Sequence, residues 1–259
     1  MKHIVLVIAL LLAVCVTGST QTNNEKLTAT LRNAVGLLYA QDSSGGMSMR
    51  CTATAYEKTE TGYKFVSAAH CIGDDNKTKE QAATGKDIPF YITRDEAGEA
   101  KTYYRAEVLW AGYQSRGEDF AVFHVVTTSS WNIIPLGDEH QEQVGSAITN
   151  IASPLGLGFQ IFHGTITSVF LDRPIVDNRG INWAGTLLLQ ISSGPGSSGS
   201  ALVSQAHENI IGFLVGAIGG DNIVGIPVSR FKAVEKAVAD GKYKWWVKDT
   251  NVNPDGTSQ

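Results

Sequence analysis

The sequence has no apolar run long enough to cross a membrane: the one from Ile4 to Val16 stops at 13 residues, against the roughly 20 that a spanning helix needs. It also lacks clustered lysine and arginine. Formal charge is −4, and without a basic run or stripe a nucleic-acid partner is not expected. Cysteine is scarce, at 3, and neither a Cys-x-x-Cys nor a His-Glu-x-x-His spacing occurs, so nothing reads as a metal centre. No internal repeat, low-complexity block or appended peptide-binding domain is present. What remains is one large domain, since β folds of roughly 200–250 residues occur as single units. With 43% hydrophobic residues, a sizeable core is available.

The short apolar run has a different reading. Lys2 and His3 precede it and the small residues Thr17-Gly18-Ser19 follow, which is the pattern of a secretory signal peptide over residues 1–18. The expected location is therefore secreted or periplasmic, with no stable membrane span after cleavage. Leu12-Ala13-Val14-Cys15 partly resembles a lipid-attachment site, but Val14 stands where Gly, Ala or Ser is expected. Lipid anchoring through Cys15 is thus the lesser reading.

Along the rest of the chain, short strand-like stretches alternate with turn residues. Six fall near 34–40, 51–57, 63–68, 88–94, 103–111 and 119–126, ahead of a polar break at Thr127-Thr128-Ser129-Ser130. Six more fall near 145–151, 160–171, 186–191, 200–204, 209–218 and 222–228. Two sets of six predict an all-β fold of two six-stranded antiparallel barrels, over about 34–130 and 140–228, with a cleft between them. Only 229–240 has a strong helical period, with Phe231, Val234, Ala237 and Val238 on one face. The domain is expected over 26–248, and the polar tail over 249–259 reads as disordered.

Three segments carry chemistry. Ser198 lies in Gly196-Ser197-Ser198-Gly199-Ser200, His70 in Ser67-Ala68-Ala69-His70-Cys71, and Asp119 opens Asp119-Phe120-Ala121-Val122-Phe123. A serine hydroxyl is a weak nucleophile until an imidazole takes its proton and a carboxylate holds that imidazole in the correct tautomer. These residues could fill the three roles. An unpaired carboxylate beside the apolar run after Asp119 would be costly to bury, and a partner imidazole removes that difficulty. Gly196 and Gly199 suit a sharply turned backbone that presents a hydroxyl and aims N–H groups at one point. The chain order is His, Asp, Ser, whereas α/β-hydrolases run Ser, acid, His and subtilisins Asp, His, Ser. An α/β-hydrolase esterase fails on this order and on the absence of Gly-x-Ser-x-Gly.

The three segments resemble those of chymotrypsin-fold (trypsin-like) serine peptidases. Ser-Ala-Ala-His70-Cys71 is similar to the family's Thr-Ala-Ala-His-Cys, Asp119-Phe-Ala-Val to its Asp-Ile-Ala-Val, and Gly196-Ser-Ser198-Gly-Ser to its Gly-Asp-Ser-Gly-Gly. Gly225-Ile226-Pro227-Val228 with the helix after it resembles the end of bacterial HtrA-like protease domains, here without a PDZ domain. The resemblance implies a serine endopeptidase acting on protein or peptide substrates, with His70 as base, Asp119 orienting it, Ser198 attacking, and no metal or organic cofactor. It implies an oxyanion hole from the N–H groups of Gly196 and Ser198. It also implies a Cys51–Cys71 disulfide, with two buried free thiols as the other reading.

Two departures from the digestive enzymes bear on function. Ser197 stands where those enzymes carry an Asp that pairs with a newly cut N-terminus, so activation by that ion pair is not expected. Ser192 stands where trypsin has an acid, which disfavours basic substrate residues. Phe213, Leu214, Val215 and Ala217, with Ile226 across from them, form an apolar pocket wall if the register is right, and otherwise belong to the barrel core. A catalytically silent binding protein on the same scaffold is the alternative, because fold does not guarantee activity.

Overall fold

The computed structural model of the protein describes residues 25–73, 88–94, 102–171, 175–176, 181–218 and 222–243. The expected signal peptide, Cys15 and the tail over 249–259 lie outside the described residues. Among these residues, no helix is long and apolar enough to cross a membrane.

The first six strands are β1 (Val35–Gln41), β2 (Met47–Lys58), β3 (Gly62–Ser67), β4 (Phe90–Thr93), β5 (Tyr104–Ala111) and β6 (Ala121–Val126). They close into an antiparallel barrel in the order β1-β2-β3-β6-β5-β4. The next six, β7 (Ala147–Ala152), β8 (Gln160–Ser168), β9 (Leu187–Gln190), β10 (Ala201–Ser204), β11 (Ile210–Ile218) and β12 (Asn222–Pro227), close in the order β10-β11-β12-β9-β8-β7. Closure leaves neither sheet an open edge of unpaired backbone groups. The period-two pattern survives where one face meets water: β5 buries Ala106 between exposed Arg105 and Glu107. In β6, Ala121, Val122 and Phe123 are all buried.

The closing helix, Val228–Ala239, packs at the junction of the two barrels. The Phe231 ring lies 5.4 Å from Tyr56, 5.5 Å from Trp110 and 5.4 Å from Phe120 in barrel one, and 5.2 Å from Phe213 in barrel two. Aromatic pairs of this kind add about 0.5–1.5 kcal/mol each beyond the area they bury. One side chain therefore fastens both barrels together and sits against Phe120, the neighbour of Asp119. Arg230 on the same helix donates to the carbonyls of Gly117 (3.1 Å) and Ala184 (3.0 Å), a second bridge across the two halves.

Residues 25–32 are also helical. Leu27 and Leu31, four apart, are buried in the barrel-one cluster. Two apolar residues in a short polar stretch gave too weak a period to mark this helix in the sequence.

Candidate active site

The ladder between β3 and β6 pairs Ser67 with Ala121. His70 follows three residues after the one and Asp119 comes two before the other, so the register alone sets them side by side. His70 sits in a single turn, Ala69–Cys71, and its backbone N–H donates to Asp119 Oδ1 at 2.9 Å. Its Nδ1 lies 2.7 Å from Asp119 Oδ2, and Gln114 Nε2 donates to the same oxygen at 3.0 Å. The carboxylate is 1% exposed, and three donors compensate its removal from water. An ionised carboxylate can only accept, so Nδ1 carries the hydrogen and Nε2 of the neutral ring is left as a base.

Cys51 in β2 is bonded to Cys71, beside His70. The His70 ring and the two sulfurs lie within 4.8 Å of one another. With the sulfurs joined, no thiolate is left for a metal.

The loop that carries Ser198 belongs to barrel two but is held by barrel one. The Thr52 backbone N–H donates to Ser198 O at 3.1 Å, and its hydroxyl donates to Gly196 O at 2.9 Å. Ser67 Oγ in turn donates to Thr52 O at 2.7 Å, which ties β2 to the strand leading into His70. Gly199 has φ of +82°, and a Cβ there would come 2.4 Å from Ala68 N and 2.5 Å from Ser67 Oγ. Any side chain at that position would push the loop away from the strand end before His70. Gly196 has φ of +98°, and a Cβ there would meet Ser153 O at 2.6 Å. Both glycines are thus required by conformation and by contact.

Three of the loop's N–H groups have protein acceptors. Ser197 N donates to Gly194 O (2.9 Å), Gly199 N to Leu214 O (2.7 Å) and Ser200 N to Ser197 O (3.1 Å). Among the described residues, the N–H groups of Gly196 and Ser198 have no protein acceptor. These are the two that an oxyanion would need. The Ser198 hydroxyl makes no hydrogen bond among the described residues; catalytic contacts are often long in the resting state and tighten on substrate binding. Ser197 is buried, with its Oγ accepting from Gly194 N at 3.4 Å, so a neutral contact occupies this position.

The pocket residues divide. Ser192 lines a cleft of about 650 Å³ with Ser193, Thr165, Gln190, His163 and Ile223 among its walls. Phe213 does not: its ring is fully buried against Phe231, and Val215 joins the same core. Ala217 is exposed. Phe213 does face Ile226 across the ladder, but both are buried in that core. The reason is that this face of β11 is claimed by the helix and the barrel junction, while Leu214 points the other way, into the interior cluster of barrel two.

Thr52, Gln114, Ser67 and Ser153 act on the site but carried no sequence signal. Each is an ordinary strand or loop residue whose role comes from a partner distant in the chain.

Comparison with known proteins agrees with this geometry. Residues 51–213 match the trypsin-like peptidase domain. A lysyl endopeptidase of Pseudomonas aeruginosa is 28% identical over 231 residues, covering 84% of this chain and 46% of the relative, so the chain spans about half the length of that protein. The crystal structure of Deg5 superposes with a TM-score of 0.64 at 16% identity, over 85% of this chain and 96% of Deg5. The HtrA-type protease AlgW with a decapeptide gives 0.63 at 15% identity, over 83% and 67%. Likeness at such identities concerns the fold.

Proposed function

Because the chain belongs to the trypsin-like peptidase family, we propose that it is an exported serine endopeptidase working through Ser198, His70 and Asp119. The observation that carries this reading is the buried His70–Asp119 pair at 2.7 Å, set beside a loop whose Gly196 and Ser198 N–H groups have no protein acceptor.

In this reading Ser198 Oγ attacks the carbonyl carbon of the scissile peptide bond while His70 Nε2 takes its proton. Negative charge develops on the carbonyl oxygen and is received by the N–H groups of Gly196 and Ser198, each such donor being worth roughly 3 kcal/mol in the transition state. Asp119 stabilises the imidazolium and keeps the ring in place. The tetrahedral species collapses, and His70 passes the proton to the departing amine. Water then attacks the acyl group with His70 again as base, which releases the acid and restores the Ser198 hydroxyl. The residues present supply every proton transfer.

Export is supported by the signal-peptide pattern and by the Cys51–Cys71 bond, since disulfides persist in oxidising compartments. For primary specificity we infer a preference for uncharged side chains. The cleft at Ser192 is lined by hydroxyl, amide and imidazole groups with Ile191 and Ile223, and by no carboxylate among the described residues. A peptide library tests this: preferred cleavage after Lys over every uncharged residue would overturn it and give the chain the specificity in its relative's name.

The test of the activity itself is labelling by a serine-directed fluorophosphonate. Labelling of the native protein and its loss in Ser198→Ala, with Ser197→Ala still labelled, is the expected result. A folded native protein that neither labels nor cleaves would instead be the silent binding protein.

A further inference from the structure

The two N–H groups assigned to the oxyanion hole are each one half of a planar peptide. In a trans peptide the C=O and N–H point in opposite directions, so the direction of the N–H is fixed by whatever holds the carbonyl on the other side. For Ser198 the relevant carbonyl is that of Ser197. It accepts from Ser200 N at 3.1 Å and from Ser200 Oγ at 2.6 Å, and Ser200 Oγ is itself held by buried Asn150 Nδ2 at 2.8 Å. That N–H is aimed by a double anchor in the core.

For Gly196 the relevant carbonyl is that of Pro195. It accepts one hydrogen bond, from the Leu155 N–H at 2.6 Å. Leu155 lies in the loop after β7, in Ser153-Pro154-Leu155-Gly156, and has φ of 56° and ψ of 15°. This is the left-handed region, which an L-residue other than glycine or asparagine rarely adopts. Its side chain is 69% exposed, so side-chain burial does not hold this conformation. The neighbours do: Ser153 N donates to Thr52 Oγ1 at 3.2 Å, and Gly156 N and Leu157 N donate to Ser153 O and Pro154 O at 3.2 and 3.1 Å. The strained residue presents its N–H to Pro195.

We propose that Leu155 is the positioning residue of the oxyanion hole: its backbone N–H, held in a left-handed conformation, fixes the Pro195–Gly196 peptide and thereby aims the Gly196 N–H at the reacting carbonyl. The residue touches no reacting atom and acts through Gly196. The inference rests on the proposed Ser198 chemistry. With the Leu155 bond lost, the peptide is free to rotate and the hole is left with one donor. Because left-handed strain opposes the anchor, glycine at this position would hold it better than leucine does.

The experiment compares Leu155→Gly, Leu155→Ala and Leu155→Pro in the full chain, after fluorophosphonate titration of the native protein has established the Ser198 chemistry separately. Proline has no N–H and cannot reach positive φ. L155P is expected to lose about 10²–10³ in kcat, the loss seen when one oxyanion donor is removed, with KM unchanged. L155G is expected to match or exceed native kcat and to exceed L155A. Affinity for a peptidyl aldehyde, whose adduct places an oxyanion in the hole, should follow kcat across the series, while affinity for the cleaved product should not move. Native kcat in L155P would overturn the proposal. Should L155P fail to fold, the other two variants decide. Equal falls in L155G and L155A would give the role to the leucine side chain and overturn the proposal; L155G above L155A, with aldehyde affinity in step, would support it.

Discussion

The base and the nucleophile of the proposed site are held by opposite means. In barrel one, His70 is fixed by a covalent bond from its neighbour Cys71 to β2 and by a charged, buried partner in Asp119. In barrel two, the Ser198 loop has neither. It is shaped by two left-handed glycines and by neutral hydrogen bonds to Thr52, Leu155 and Ser200. The difference follows from the tasks. A base needs an altered environment for its charge, which side chains supply, whereas an oxyanion hole needs backbone N–H groups aimed at one point, which only conformation supplies.

The largest expected effect breaks the charged half. Asp119→Asn keeps the shape but puts an amide where an acceptor-only group stood, so His70 can be held in the wrong tautomer. A fall of about 10⁴ in kcat is expected, with the melting temperature moved far less than the rate. A loss under tenfold would show that the pair is structural and not catalytic.

Breaking the conformational half should cost stability as well as rate. Gly199→Ala meets left-handed strain of about 1–2 kcal/mol and a contact 2.4 Å from the Ala68 backbone. Overpacking of that kind adds about 1–3 kcal/mol. Thermal denaturation should show a total of roughly 2–5 kcal/mol, and fluorophosphonate labelling should slow in the molecules that remain folded. Unchanged labelling at native stability would mean that the loop does not need its contact with the strand before His70.

The covalent tie is expected to matter less to chemistry than to stability. Cys51→Ala combined with Cys71→Ala should lower stability by about 2–5 kcal/mol, within what a core running through both barrels can absorb. Turnover should fall only modestly, because the hydrogen bonds that the His70 ring and backbone donate to Asp119 remain. A double mutant that cannot fold would show that the disulfide, not the core, carries barrel one.

The same contrast explains what was legible in the sequence. The side chains of the proposed chemistry stand out by type, and His70, Asp119 and the cysteine pair could be picked out. The Ser198 loop was legible only through its glycines. Leu155 was not legible at all, because leucine carries no signal for positive φ and its role is performed by a backbone N–H. The twelve strands followed from alternation and turn residues. Composition alone could not tell a pocket wall from barrel core on β11, where Phe213 and Val215 lie in the shared core with Phe231. The contact of Tyr56 with Glu235 on the closing helix, and the clamp of Thr52 on the Ser198 loop, depend on partners more than 100 residues away.

Barrel two does contain a buried carboxylate paired with a histidine, and its location gives the smallest effect and the sharpest version of the comparison. Glu142 is buried, with Oε1 3.0 Å from His207 Nδ1. Burial pushes its carboxyl upward, but hydrogen bonds from Ser204, His207 and Ser146 outweigh that and hold it below the usual value of 4.5. A carboxyl depressed in the folded state adds stability that is present above its unfolded pKa and lost as pH falls through the folded one. The native protein should therefore be more stable than Glu142→Gln at pH 7, and the gap should close progressively below about pH 4.5. Both proteins should label Ser198 at the same rate at pH 7, because this pair braces the end of β10 and does not reach the nucleophile loop. A stability gap independent of pH would remove the ionic reading of the pair. Slower labelling in the glutamine variant would show that barrel two, like barrel one, uses charge to hold its half of the site.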